Sequence, residues 1–363
     1  MRFIIMIGLI LGANSYVFYR IWNLIPAGNI LRPLSIVLGI IAVSSMFIAI
    51  LTAGRLPSAV TSFLYTVGSS WFFIMLYLLM LFLLLDIGRL VHLLPRSFLL
   101  GNWMVLGGIT ALMTVIFTIG YITYQKKDRV ELNLDVPATT QLDRPVKIVA
   151  LSDIHVGYTI RKKEFARWVE LINAENPDIV LIAGDITDNN VRPLIEQDMA
   201  TEFRKIRSKY GVYACPGNHE YIGGLTETVD FLADAGITVL RDSSVLIDNR
   251  FYVVGRDDRT NTHRKSIAGL VDTFDYTKPV VLLDHQPYHL EEAEENGITL
   301  QISGHTHDGQ VWPVSMITKS MYEVSHGYKK KGDTHIYVSS GMGIWGGKFR
   351  IGTRSEYIVI NLE

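Results

Sequence analysis

Gly304-His305-Thr306-His307 follows the apolar run Leu300-Gln301-Ile302-Ser303, and these eight residues decide how the second half of the chain reads. The run predicts a strand, and alternate side chains of a strand face the same way. The spacing therefore predicts that His305 and His307 look into one pocket. Working outward, the same arrangement recurs upstream. Asp153-Ile154-His155 closes the strand-like run Val146 to Leu151. Gly184-Asp185-Ile186-Thr187-Asp188, Gly217-Asn218-His219-Glu220 and Asp284-His285 each close another β-rich run. Such repeated polar endings predict one shared site.

Between these endings strand and helix patterns alternate. Strands are expected at Val146–Leu151, Asp178–Ala183, Gly211–Cys215, Thr238–Leu240, Val245–Ile247, Phe251–Val254, Val280–Asp284, Leu300–Ser303, Ile336–Ser339 and Tyr357–Asn361. Helices are expected at Lys163–Ala174, Leu194–Arg207 and Leu225–Ala235, the first from the helical spacing of Phe165, Trp168, Val169 and Ile172. The early βαβ order predicts a parallel sheet covered by helices, with the later strands forming a second sheet packed on it. Ligands of such sheets gather at the carboxyl ends of strands, where all the polar endings lie. Residues Asp308 to Asp333 lack a clean period and read as a long loop or lid.

The first 125 residues differ sharply. They hold no Lys, one acidic residue (Asp86) and six Arg, whereas the remainder holds 34 acidic and 28 basic residues, a net charge of −6. Four apolar stretches, about Phe3–Tyr19, Leu34–Ala53, Leu64–Leu85 and Trp103–Ile122, predict about four transmembrane helices, since a crossing needs about 20 apolar residues. The first is short and carries Asn14; a removed signal peptide is the alternative, and Tyr16, Tyr19 and Trp22 favour a retained helix. With four crossings, Arg2, Arg55, Lys126, Lys127 and Arg129 share one side and Arg20, Arg32, Arg89 and Arg96 the other. The cluster Lys126-Lys127-Asp128-Arg129 predicts a cytoplasmic catalytic domain, and loss of the first crossing reverses this. No proton-relay series or repeat marks a transporter, so the membrane half reads as an anchor. The organisation expected is residues 1–125 in the membrane, a linker at 126–144 and a domain at 145–363, with Lys126 to Pro145 read as a polar, β-tending approach to that domain. The acidic balance disfavours nucleic acid as a partner, and no protein partner is predicted. The sole cysteine, Cys215, permits no intrachain disulfide and reads as a buried thiol.

Asp153, His155, Asp185, Asn218, His285, His305 and His307 offer oxygen and imidazole ligands without thiolate, a set suited to Mn²⁺, Fe or Zn²⁺, with manganese preferred. Seven ligands exceed one tetrahedral zinc. They suit two divalent ions about 3.5–4 Å apart sharing one carboxylate. Such a pair holds a phosphate ester and lowers the pKa of a bridging water, whose hydroxide attacks phosphorus in line. His219, beside Asn218, is the candidate to protonate the leaving group.

The ordered series D-x-H, G-D-x-x-D, G-N-H-E, H and G-H-T-H resembles the calcineurin-like metallophosphoesterase family over about residues 145–363. The resemblance implies a four-layer α/β/β/α sandwich. It implies that Asp153, His155, Asp185 and His307 hold one metal and that Asp185, Asn218, His285 and His305 hold the other. Asp185 would then be the bridge and His219 the group near the leaving oxygen. His307-Asp308-Gly309-Gln310, Ser340-Gly341-Met342-Gly343 and Arg350 resemble the membrane-attached bacterial branch, while Asp308 and Ser355 depart from its usual Gly and Pro.

Lesser candidates are Asp188 as a turn or outer residue, Arg256-Asp257-Asp258 as pocket lining or solvated loop, and Arg350 as a phosphate contact or partner of Glu356. His263, His289, His326 and His335 read as surface or packing residues, and Lys329-Lys330-Lys331 as a solvated loop or lipid-facing run. The function expected is a membrane-anchored dimetal phosphoesterase acting on a phosphodiester, pyrophosphate or phosphomonoester, with a lipid-linked substrate suggested by the membrane half. The alternative is a membrane sensor or scaffold that binds a phosphorylated ligand without turnover.

Overall fold

The computed structural model describes residues 2–52 and 54–363, which form two compact units. One comprises Met1–Tyr121 and Gly346–Lys348, the other Ile122–Trp345 and Phe349–Glu363. The apolar runs fold as helices α1 (Arg2–Leu24), α2 (Leu31–Leu51), α3 (Ser58–Leu90) and α4 (Trp103–Gln125). Among the described residues, three of them, α2, α3 and α4, are long and apolar enough to cross a membrane, one fewer than the four expected. The expected end of the second stretch, Ala53, lies outside the described residues.

The carboxyl half of α1 is where the apolar pattern breaks. Its Asn14 is 6% exposed and accepts a hydrogen bond from Trp71 Nε1 at 2.9 Å. Asp86 of α3 accepts from Arg89 and also from Tyr16 and Arg20 of α1. These polar residues are therefore paired within the helical unit, and their presence follows from that pairing.

The second unit contains β1 (Lys127–Leu134), β2 (Val146–Leu151), α5 (Lys162–Ala174), β3 (Ile179–Ala183), α6 (Arg192–Glu196), α7 (Met199–Phe203), β4 (Val212–Cys215), α8 (Asn218–Gly223), α9 (Leu225–Asp234) and β5 (Ile237–Val239). Then come β6 (Ser243–Ile247), β7 (Phe251–Gly255), α10 (Ile267–Val271), β8 (Val280–Leu283), α11 (Glu291–Glu295), β9 (Leu300–Ser303), α12 (Val314–Met321), β10 (Gly327–Lys331), β11 (Thr334–Val338) and β12 (Ser355–Leu362). Two six-stranded sheets result, ordered β1-β12-β2-β3-β4-β5 and β10-β11-β9-β8-β7-β6. Strands β2 to β5 run parallel, as do β7, β8, β9 and β11.

Side-chain alternation builds the layers. On β2, Ile148 and Ala150 enter the space between the sheets with Leu181, Val253, Val281 and Ile302. Val149 and Leu151 face outward, under Phe165, Trp168 and Phe203. On the other sheet, Val254, Val280 and Leu282 are covered by Ile267, Leu270 and Ala293. The order of layers is α/β/β/α, as the resemblance implied.

Three expectations need correction. The single helix expected at Leu194–Arg207 is two short helices, α6 and α7, broken where Asp198 takes φ 50°. Residues Lys127–Leu134, expected in a linker, form an edge strand paired in parallel with β12 from Lys127↔Ser355 to Leu134↔Leu362. Being half-exposed, this strand can be polar, so its β tendency alone did not place it in the sheet. The stretch Asp308–Asp333 holds α12 and β10 rather than one long loop. Helix α12 exposes most of its apolar side chains, so no buried stripe announced it.

Candidate metal centre

All seven expected ligands lie on segments that follow β2, β3, β4, β8 and β9, at the carboxyl ends of parallel strands. Strand alternation is not what aims them. Strand β9 ends at Ser303, and His305 and His307 adopt φ values of 70° and 51°. Asp153, His155 and Asp185 take φ values of 50°, 49° and 52°. Asp and His enter this left-handed region more readily than most residues. Each such residue still costs about 1–3 kcal/mol, and strain of this kind collects at functional sites.

The side chains converge. One group of possible metal ligands is Asp153, His155 and His307, and another is Asp185, His285 and His305. A third joins His155, Asp185 and His219. His155 Nε2 lies 3.1 Å from His307 Nε2 and 3.7 Å from Asp185 Oδ2, and His307 Nε2 lies 3.4 Å from Asp153 Oδ1. On the other side, His285 Nε2 is 3.1 Å from Asp185 Oδ2, and His305 Nδ1 is 2.8 Å from Asn218 Oδ1. Asp185 thus belongs to both sides.

These contacts test whether metals fit. His285 Nδ1 donates to the Ala183 carbonyl at 2.8 Å, which leaves Nε2 as a lone-pair nitrogen in the neutral ring. That buried Nε2 has no hydrogen-bond partner, yet it faces a carboxylate oxygen. Two electron-rich atoms so close repel unless a proton or cation lies between them. Burial disfavours the proton, but Asp185 and Asp153 outweigh it and raise His285 well above the usual imidazole range, so without a metal a proton fills that gap. Burial and then the nearby His285 push His305 down to about 4, and burial followed by His155 holds His307 well below the usual imidazole range. Both are neutral near pH 7, the form that ligates metals. Burial opposes the charge of Asp185, but His285 and His219 outweigh it and keep the carboxyl well below its ordinary value. The residues fit a pair of cations.

Outer contacts hold this geometry. Glu220, 1% exposed, accepts hydrogen bonds from the backbone N–H groups of Asp185, Ile186, Thr187 and Gly217 at 2.7–3.0 Å. One carboxylate thereby clamps the Asp185 loop to the Asn218 turn. Asp188 serves two rings: its carbonyl takes the His219 Nδ1–H, and its Oδ1 lies 3.5 Å from His219 Nδ1 and 3.7 Å from His155 Nδ1. Space is equally constrained. A Cβ on Gly217 would sit 2.2 Å from Asp185 Oδ1, and one on Gly304 would sit 2.2 Å from Asp153 Oδ2. Glu220→Ala would strand four buried N–H groups at about 1–3 kcal/mol each. It is expected to destabilise the domain by on the order of 4 kcal/mol and to weaken metal binding about 10–100-fold. A thermal melt and a metal titration check both.

Arg350 does neither thing expected of it. It is fully buried, and its guanidinium donates to the carbonyls of His307, Ser340 and Gly343 and to Ser355 Oγ. It ties the His307 turn to the Ser340-Gly341-Met342-Gly343 loop. Glu356 pairs instead with His326, at 3.1 Å. His335 is a packing residue, bonded to Tyr328 and to the Asp135 carbonyl. Arg256 bridges Asp284 and Glu292, and Asp258 accepts from Gln286, so this segment is a buried network rather than a solvated loop. Cys215 is buried, and burial pushes its thiol well above the usual range.

A wall beside His305 had no sequence signal. The Tyr322 ring lies 6.4 Å from the His305 ring and 4.9 Å from Tyr288, over which the Arg259 guanidinium stacks at 4.1 Å. Arg259 Nη1 is shielded from solvent and has no hydrogen-bond partner. These residues come from three separate segments, and nothing in their spacing links them.

The calcineurin-like phosphoesterase profile matches residues 146–309. A metallophosphoesterase of Aquifex aeolicus is 32% identical over 228 residues, covering 60% of this chain and 85% of that protein. The chain belongs to the calcineurin-like metallophosphoesterase family. A metallophosphoesterase of Helicobacter pylori is 35% identical over 229 residues, 61% of each chain. A Danio rerio transmembrane protein with a metallophosphoesterase domain is 30% identical over 250 residues, 64% of this chain and 57% of that one. The matched region spans about three fifths of the length of these last two relatives. In this metallophosphoesterase domain the profile ends at Gly309, so Arg350 and Tyr322 lie beyond it, while Arg259 and Tyr288 fall within it.

Proposed function

We propose that the chain is a membrane-anchored, dimetal-dependent phosphoesterase. The observation that carries this is the sharing of Asp185 between two clusters of ligand atoms. Asp153, His155, Asp185 and His307 would hold one metal, and Asp185, Asn218, His285 and His305 the other, with manganese the preferred ion. When bound, the metals would supply Lewis acidity to the phosphoryl group and to the attacking water. The chain's own residues do the rest. Asp188 takes the His219 Nδ1–H, so in the imidazolium form the Nε2–H is the proton given to the leaving oxygen, and the ring is left neutral. Glu220 keeps Asp185 in register, and Arg350 keeps His307 in place.

The substrate class proposed is a phosphodiester, pyrophosphate or phosphomonoester, with a lipid-linked molecule favoured because an anchored enzyme meets molecules of its own leaflet often. Pairing of Asn14, Tyr16 and Arg20 with α3 supports a retained α1 and hence a multi-pass chain. Four crossings and the Lys126-Lys127-Asp128-Arg129 cluster then favour a cytoplasmic catalytic domain.

The test is to assay the purified full chain with manganese on bis(p-nitrophenyl) phosphate and p-nitrophenyl phosphate, before and after chelation. Activity that survives complete removal of metal would sink the mechanism. Tight metal binding with no turnover across a broad phosphoester panel would favour the sensor instead. Arg259, with its unpaired Nη1, is proposed to hold an anionic group of the substrate beyond the reacting phosphorus. Arg259→Ala is expected to raise KM about 10–100-fold for substrates carrying such a group, the worth of one charge-assisted hydrogen bond. KM for the simple aryl diester should hardly move.

A further inference from the structure

The metallophosphoesterase domain exposes apolar side chains in one dense place. Trp312, Met316, Ile317 and Met321 are 48%, 61%, 56% and 60% exposed, all on α12 or just before it. Met316, Ile317 and Met321 fall on one side of the helix, opposite buried Ser315. This segment is not a loose tail. Ser315 N–H donates to the Val311 carbonyl, and a Cβ on Gly309 would collide with Ser315 N at 2.4 Å. Helix α12 is thus fastened directly to the turn that carries His307.

The same surface continues to the point where the chain leaves α4. Trp312 N–H donates to the Ile351 carbonyl at 2.7 Å, and a Cβ on Gly352 would sit 3.3 Å from the Trp312 Cβ. Gly352 also lines a cavity of about 530 Å³ with Ile122, Lys126, Asp128 and Arg354. Lys126 is the residue after the last of α4. Two cations, Lys126 and Arg354, share the single carboxylate of Asp128 at 2.9 and 3.2 Å, and both remain mostly exposed. An apolar helix face, an excess positive charge and the end of a helix fit to cross a membrane therefore form one continuous strip.

We infer that this strip is a bilayer-docking face: α12 inserts its apolar side among the lipid chains while Lys126 and Arg354 meet anionic phospholipid headgroups. Interfacial helices combine these two elements, apolar area and attraction to anionic lipid. Docking there holds the turn bearing His305 and His307 at headgroup level, where the phosphorus of an amphiphilic substrate lies. The inference rests on the anchoring part of the proposed function and not on hydrolysis.

The experiment places a single fluorescent label on the full chain, at Ile317→Cys, Tyr276→Cys or Ile41→Cys, with buried Cys215 left in place. Tyr276, which is exposed, precedes β8 at the end of the strands away from the ligands. Each protein is reconstituted in phosphatidylcholine vesicles with or without phosphatidylglycerol, using lipids brominated in their chains as quenchers. Quenching at Ile317 is expected to exceed that at Tyr276 several-fold and to rise with phosphatidylglycerol. Lys126→Glu with Arg354→Glu should abolish that rise. Equal, weak quenching at Ile317 and Tyr276 while Ile41 on α2 is quenched overturns the docking face and leaves anchoring intact. An Ile317 label shielded from aqueous iodide yet untouched by bromolipid also overturns it, and points to a protein cover. Absence of quenching at Ile41 overturns the anchoring reading as well.

Discussion

Asp185→Ala is expected to lower turnover by more than about 10³-fold, because loss of an outer partner alone is worth about 10–100-fold and Asp185 stands at the centre. Its Oδ2 lies 3.1 Å from His285 Nε2 and 3.7 Å from His155 Nε2, so its removal strips an oxygen from both ligand groups at once. Its Oδ1 also accepts the His219 backbone N–H at 2.9 Å, which links it to the first turn of α8. Elemental analysis should find less than the full complement of metal. Wild-type turnover and metal content in Asp185→Ala would refute the shared-carboxylate centre.

His219→Ala should behave differently. A loss of about 10²–10⁴-fold in kcat is expected, the usual span for a general acid, with metal content unchanged. His219 follows Asn218 on α8 and its ring is held by the Asp188 carbonyl, so truncating the side chain leaves the backbone that carries Asn218 in place. The deficit should depend on the leaving group. A p-nitrophenolate leaves without a proton, so the aryl diester should lose little. An alkyl ester needs protonation and should lose the full amount. Equal losses on both would assign His219 to binding instead of proton transfer.

What could be read in advance follows from where the information sits. The seven candidate ligands were legible because each ends an apolar run, and because a metal site of this kind needs Asp, Asn and His side chains, which are rare among such runs. Strands β2 and β9 were legible to the residue, since buried strands read as mainly apolar stretches, here with Lys147 and Gln301 as the breaks. Helix α12 and edge strand β1 were not, because neither hides a face that patterning would mark. Arg350 was legible as a residue of interest but not in its action. Its partners are mostly backbone carbonyls, which every residue carries, so no side-chain pattern could name them.

The amino-acid order alone determined the family's chemistry, the apolar first third and the residue types that could bind metal. Those are local properties: composition, period and the side chain at each position. Only the tertiary structure decided that Asp185 serves two ligand groups, that Glu220 clamps four backbone amides and that Trp312, just before α12, bonds to Ile351. Each of these joins segments far apart in sequence through left-handed turns and backbone bonds. Such contacts depend on how the sheets bring strand ends together, which no local stretch encodes.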